Sequence, residues 1–320
     1  MQLKLVAQGI SLALVCLVLL GALPIIANLR PTDIEALPFA FALSVWEALF
    51  ALPLFAYELR GKNKGIFGIT TSARERRRMI AVGIVTGALF GLATWLYVLG
   101  VEKAGATNAA IAIQAYPPFA ILWESLFLKR HKTPLELGLT LLMLAALYYL
   151  GTAGTFKLSG LSPWFLLSLG VPLLWSIAHV VIKEELGRTA VTPTQVTFSR
   201  VVISALFLFA VLAVTAPASL GSLGTVAVFR TASAVMGFVY VVELIVWFYA
   251  VRHIDVSLAS SITAPWPALT MVLAVFFLGD TIVPYQIGAL VVVVACIYGL
   301  MSLSLRKGKT GPTDVSVEPR

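Results

Sequence analysis

The chain has 320 residues, 59% of them hydrophobic and only 12% charged, with a net charge of +8. A soluble domain carries about 25% charged residues, so this composition excludes a water-soluble globule: too few charges remain to cover one, and lipid has to be the solvent for much of the surface. Connections between the apolar runs are short and leave no room for a separate soluble domain.

Apolar runs of about 20 residues have the length that crosses a bilayer as a helix. Ten follow one another, which predicts an all-α integral membrane protein of ten transmembrane helices. The first, 5–27, comes after a start with one lysine. It is long for the core of a signal peptide, and no small-x-small cleavage site accompanies Pro24 and Asn28, so it is read as an uncleaved span. Span two, 38–57, carries Glu47 in "LSVWEALFALP". Span three, 79–101, follows the basic stretch "ARERRRM" and sets Gly83, Gly87 and Gly91 on one face, which argues for close helix contact. Span four, 108–128, contains "AIAIQAYPPFAILWESLF", in which Gln114 and Tyr116 stand just before adjacent prolines, Pro117 and Pro118. Span five, 133–152, is followed by spans six and seven, 162–182 and 194–214, which carry His179 and Arg200. Span eight, 231–251, holds Tyr240, Glu243 and Trp247; span nine, 257–278, holds Pro265, Trp266 and Pro267; span ten is 284–304. The polar tail, 306–320, is expected to be disordered.

With the N-terminus inside, 18 of the 23 bases fall on the inner side and four on the outer (Arg30, Lys103, Lys157 and Arg230), Arg200 lying within a span. That asymmetry follows the positive-inside rule and predicts that both termini are cytoplasmic. "ARERRRM" is then a cytoplasmic loop facing anionic membrane lipid, and nucleic acid is not an expected partner. Cys16 and Cys296 both sit inside apolar runs and read as small core residues.

A shift of 150 residues lays "GVEKAGATNAAIAIQAYPPFAIL", from Gly100, on "AVRHIDVSLASSITAPWPALTMV", from Ala250, without a gap. Pro117 meets Pro267, Pro134 meets Pro284 and Gly138 meets Gly288. The expected units are a five-span repeat at 1–155 and a second at 156–305. Five is odd, so the second copy enters the membrane inverted. The loops agree: "KRHKT" after span four is basic, whereas its mate "GDTIV" has no base. Inverted repeats of this kind mark alternating-access transporters, with the site at the midplane near interrupted helices. Proline removes a backbone donor and crowds the preceding turn. In lipid the freed carbonyls survive only against protein or a wet cavity. Pro117 and Pro118 on one side, and Pro265 and Pro267 on the other, are therefore expected near the centres of two spans that face each other, with Tyr116 and Trp266 beside the breaks. Plain packing kinks are the alternative.

A charged side chain at mid-depth costs at least ~2.5–3.5 kcal/mol on the insertion scale and should face the interior. Glu47 and Glu243 meet that description. Helical spacing groups Ser44, Glu47 and Ala51 on one face, and Tyr240, Glu243 and Trp247 on another, where a carboxylate between aromatics suits an amine or organic cation. Glu243 has no charged mate, its equivalent being Ala93, and it is a candidate carrier of a coupling proton. Each Glu can instead be a structural partner of a neighbouring helix. Arg200 either pairs with a Glu or a substrate acid, or snorkels to the inner surface. His179 reads as interfacial, Glu124 as a partner of the adjacent basic loop, and Trp123, Tyr148, Tyr149, Trp164 and Tyr298 as the aromatic belt. The candidate substrate-binding set is Glu47, Gln114, Tyr116, Arg200, Tyr240, Glu243, Trp247 and Trp266.

No phosphate loop, metal quartet or nucleophile triad is present, so neither cofactor nor catalytic metal is expected. A membrane enzyme acting on lipid or isoprenoid would have to rely on His179, Lys183, Glu184 and Glu185. A flippase for lipid or lipid-linked sugar would need a groove open sideways to lipid.

The Pro-centred fourth and ninth spans, and the run "ALTMVLAVFFLGDTIVPYQIGALVVVVACIYGL", carry a resemblance to the drug/metabolite transporter superfamily and to its EamA-type permeases. Leu278-Gly279-Asp280 matches the family's Leu-Gly-Glu with Asp in place of Glu, while the first copy departs with Leu128-Lys129-Arg130. "YPPFAILWESLF" is similar to the Trp-Pro region of that family's aromatic amino acid exporters. The resemblance implies a secondary transporter, commonly an exporter of metabolites, amino acids or toxic compounds; a small-molecule substrate and a bacterial inner membrane are expected, and the proton that Glu243 could carry is a candidate coupling ion.

Overall fold

The structure, a computed structural model, describes residues 2–28, 30, 34–61, 72–127, 133–188, 192–222, 227–253, 259 and 262–310. Among these the chain is helical, with no strand. The helices are α1 (Gln2–Asn28), α2 (Ala36–Arg60), α3 (Ala73–Ala104), α4 (Ala106–Ile113), α5 (Tyr116–Phe127), α6 (Pro134–Gly151), α7 (Pro163–Arg188), α8 (Pro193–Thr215), the short α9 (Ala218–Ser222), α10 (Ala227–His253), α11 (Trp266–Leu278) and α12 (Pro284–Thr310). The last runs through Thr310, into the segment expected to be a tail from 306; the residues beyond lie outside those described.

Among the described residues eight helices are long and apolar enough to cross a membrane: α1, α2, α3, α6, α7, α8, α10 and α12. The expected fourth and ninth spans are missing from that set because each is interrupted. α4 stops at Ile113, Gln114 and Ala115 form a turn, and α5 restarts at Tyr116. In the second half a turn at Ala264 and Pro265 precedes α11. The prolines are therefore not kinks inside a continuous helix. Pro117, Pro118 and Pro267 occupy the first turn of a new one, where their missing N–H groups would have had no intrahelical partner and their fixed φ is already helical.

Packing between helices repeats when the halves are exchanged. α3 packs on α7 and α8 as α10 packs on α1 and α2; α5 meets α7 as α11 meets α1. The pairs α2–α8 and α6–α12 map onto themselves. Small residues make the closest approaches. A Cβ on Gly87 would lie 2.6 Å from Ile203 Cβ and 3.3 Å from the Arg200 carbonyl, and one on Gly91 would lie 3.1 Å from Ser204 Cα. Ser204 Oγ donates to the Gly87 carbonyl at 2.8 Å. This is the helix contact expected of the Gly83–Gly87–Gly91 face. Its counterpart is Gly237 of α10, whose Cβ would lie 2.8 Å from Trp46 Cβ and 3.2 Å from the Leu43 carbonyl. Arg200 and Ile203 stand 157 residues after Leu43 and Trp46, so the register between α2 and α8 is longer than the 150 that relates spans four and nine.

Two helices start on capping boxes. Ser72 with Glu75 begins α3, and Thr133 with Glu136 begins α6. The outward surface is apolar: Phe276 is 79% exposed, Leu141 67% and Phe277 65%, large side chains that water would not tolerate in such number and that lipid accepts.

Candidate functional site

Besides Cys16 of α1, the interior side chains of the site come from six helices. α2 carries Ser44 and Glu47, α3 Phe90, α5 Tyr116, α7 His179, α8 Arg200 and α10 Tyr240 and Glu243. The Gly87 and Gly91 contacts bring α8 against α3, and this sets the Arg200 guanidinium over Phe90, with Cζ 4.0 Å from the ring centroid. Arg200 points inward rather than to the inner surface. It lies within electrostatic reach of Glu47, Glu243, Tyr240 and His179. Among the described residues no carboxylate forms an ion pair with it.

Glu47 is 3% exposed and Glu243 7%. Glu243 Oε1 accepts from the Cys16 thiol on α1 at 3.0 Å. Glu47 has no hydrogen-bond donor among the described residues, and the Ser44 hydroxyl one turn before it is buried without a partner. The His179 ring centroid lies 5.3 Å from Phe90 and 5.7 Å from Tyr116 in an edge-on arrangement. Nearby, Trp266 and Tyr240 belong to one buried cluster with Leu43, Phe39 and Tyr97.

The two helix breaks meet. Gln114 Nε2 donates to the Ala264 carbonyl at 3.2 Å, across 150 residues of chain. The Ala268 N–H, which a continuous helix would direct to Ala264, bonds to Pro265 instead. Gln114 thus serves a carbonyl that the break releases.

Trp247, one turn beyond Glu243, packs with Ile10, Leu12 and Ile262 around Ala13, Ala250 and Ala259, a cluster separate from the one that holds Tyr240. Trp123, expected in the aromatic belt, donates its Nε1–H to Ser176 Oγ of α7 at 2.9 Å. The expected partners of Glu124 at 129–132 lie outside the described residues, as do the side chains of Lys183, Glu184 and Glu185. Cys16, Ser44, Phe90 and His179 belong to the site without having been singled out for it. For Phe90 the signal was present, since the register that pairs Ala93 with Glu243 also pairs Phe90 with Tyr240.

Two carboxylates facing one guanidinium, with aromatic rings beside them, can hold a small solute bearing both an acid and an amine, and leave one carboxylate to be balanced by a proton or a cation. Among the described residues no group of three or more His, Cys, Asp or Glu could hold a metal ion. One solved crystal structure of a protein superposes with a TM-score of 0.61 at 17% identity, over 96% of this chain and 99% of that chain, which establishes a shared fold. No curated protein matches the chain significantly. The profile of the EamA-like transporter family matches residues 7–152 and again 162–302. The two matches cover both halves of the helical bundle, so the chain is a multi-pass membrane protein that belongs to the EamA-like transporter family.

Proposed function

We propose that this protein is a secondary transporter that exports a small amphoteric metabolite, such as an amino acid, by alternating access between two inverted five-span halves. The fourth and ninth crossings are then α4 with α5, and the interrupted segment ending in α11, giving ten crossings with both termini cytoplasmic. The observation that carries this reading is the meeting of the two breaks at Gln114 and Ala264, beside the cluster of Arg200, Glu47 and Glu243. Interrupted helices at the interface of two repeats are where transporters of this architecture bind solute. Arg200 takes the solute's acid, Glu243 its amine or a proton, and Tyr116, Tyr240 and Trp266 its apolar part. Because one carboxylate is in excess over Arg200, proton and amine compete for it, and that competition couples export to proton entry.

The test uses the purified full-length protein in vesicles loaded with labelled amino acids and amines. Wild type should accumulate solute against a gradient when a pH difference is imposed. Glu243→Gln should lose that response and keep solute counterflow. A variant driven as well as wild type ends the coupling role of Glu243, whereas a wild type that moves none of the solutes ends the reading itself.

A further inference from the structure

The end of the bundle where α1 finishes and α2 begins is poor in bases. In the orientation proposed above it is the outer side, to which the chain assigns only Arg30, Lys103, Lys157 and Arg230. Two of these four converge on one acid. Arg30 Nη2 is ion-paired with Glu102 Oε2, and Lys103 Nζ lies 2.7 Å from Glu102 Oε1. Among the described residues the arrangement is unbalanced, with two cations sharing a single carboxylate.

Arg30 is also poorly served. The residue is 8% exposed, and its Nε and Nη1 are buried with no hydrogen-bond partner among the described residues. Its remaining neighbour of note is apolar: Cζ lies 5.9 Å from the Phe39 ring centroid. Lys103 Nζ lies 6.0 Å from the Trp164 ring. A buried guanidinium with two of its three nitrogens unserved is costly, because the charge has been removed from water and the donors have gained nothing in exchange. A positional anchor would have no reason to be buried, since the long side chain can reach water.

We propose that Arg30 and Lys103 form a binding site for an oxyanion, a carboxylate or a phosphate, at the outer end of α1 and α3. The planar guanidinium donates to such groups with directional, charge-assisted bonds, and the ammonium adds a second charge. The free nitrogens are closed to solvent, so an anion enters by displacing the side chains over them. Glu102 is the resident competitor, since its carboxylate neutralises both cations whose charge, with the free Nε and Nη1 of Arg30, would draw a second oxyanion. The anion is either a soluble one or the phosphate of a net-anionic lipid headgroup, one without the ammonium that neutralises phosphatidylcholine, two sources of the same chemistry. The central transport site is not needed for this inference, and the test reads binding alone.

Thermal stability of the purified full-length protein is measured in uncharged detergent against inorganic phosphate and acetate, and in phosphatidylcholine nanodiscs with and without phosphatidylglycerol. Glu102→Gln removes the competitor and should bind the anion about tenfold more tightly than wild type. Adding Lys103→Gln or Arg30→Gln to it should remove the gain. A shift with phosphate or acetate identifies a soluble ligand; a shift with phosphatidylglycerol alone identifies a lipid phosphate. If folded Glu102→Gln responds to neither, or if the double variants respond equally, the site does not exist. Should Glu102→Gln fail to fold, Lys103→Gln alone decides: the wild-type shift should fall several-fold, and an unchanged or absent wild-type shift overturns the proposal.

Discussion

Gln114 and Ala264 occupy the same place in the two halves, 150 residues apart, and the amide of the first donates to the carbonyl of the second at 3.2 Å. The bond joins the two helix breaks directly. Gln114→Leu keeps the size of the side chain and leaves the Ala264 carbonyl without its donor. Interhelical hydrogen bonds in membrane proteins are worth about 1 kcal/mol, so the melting temperature should fall by a few degrees. Transport in vesicles should fall further than stability does, because the breaks lose their relative position. A variant that melts and transports like wild type would show that the bond is incidental.

The glycine contacts separate two kinds of substitution. Gly87→Val and Gly237→Val each place carbon where the facing helix already stands, within 2.6 Å of Ile203 Cβ and 2.8 Å of Trp46 Cβ respectively. Both should sharply reduce folded yield, measured as the monodisperse fraction after extraction. Gly138→Ala and Gly288→Ala meet nothing within 4 Å and lie in helix interiors, so they should leave the melting temperature unchanged or raise it through helix propensity.

Arg200 stacks on Phe90 and has no ion-pair partner among the described residues. Arg200→Gln should raise KM at least about tenfold for solutes carrying a carboxylate, and far less for amines that lack one. Arg200→Lys should recover little, since an ammonium does not reproduce the planar stack. An equal rise in KM for both solute classes would make Arg200 structural.

The inverted arrangement proposed for the two halves makes a labelling prediction. Thr281→Cys lies in the exposed loop between α11 and α12, and Arg74→Cys at the exposed start of α3. The native cysteines are buried and give little background. In intact cells an impermeant thiol reagent should modify position 281 and not position 74. Gly279 is the less suitable probe because its φ is +70°, where a side chain is strained. The opposite labelling pattern would overturn the topology.

Solvent, helix class and the doubling of the chain were legible from the residues themselves. Burial in lipid selects by composition over about 20 residues, a local property, and prolines and glycines at one register survive divergence as a readable pattern. Pro117 and Pro267 marked the interruptions for the same reason, although the turn sits before them, at Gln114–Ala115 and Ala264–Pro265. Partnership across helices was not legible. Cys16 meets Glu243 across 227 residues, and nothing local distinguishes it from Cys296, which stays in an apolar cluster. His179 looked interfacial by its distance from "KEEL", yet the α3–α7 and α5–α7 crossings turn it toward Phe90 and Tyr116. Trp247 was grouped with Tyr240 by helical spacing, yet the two pack in separate clusters. Periodicity determines which side of a helix faces inward; which groups then touch depends on crossing angles and on the register between repeats, and those are decided only where Gly87, Gly237 and their neighbours let the backbones close.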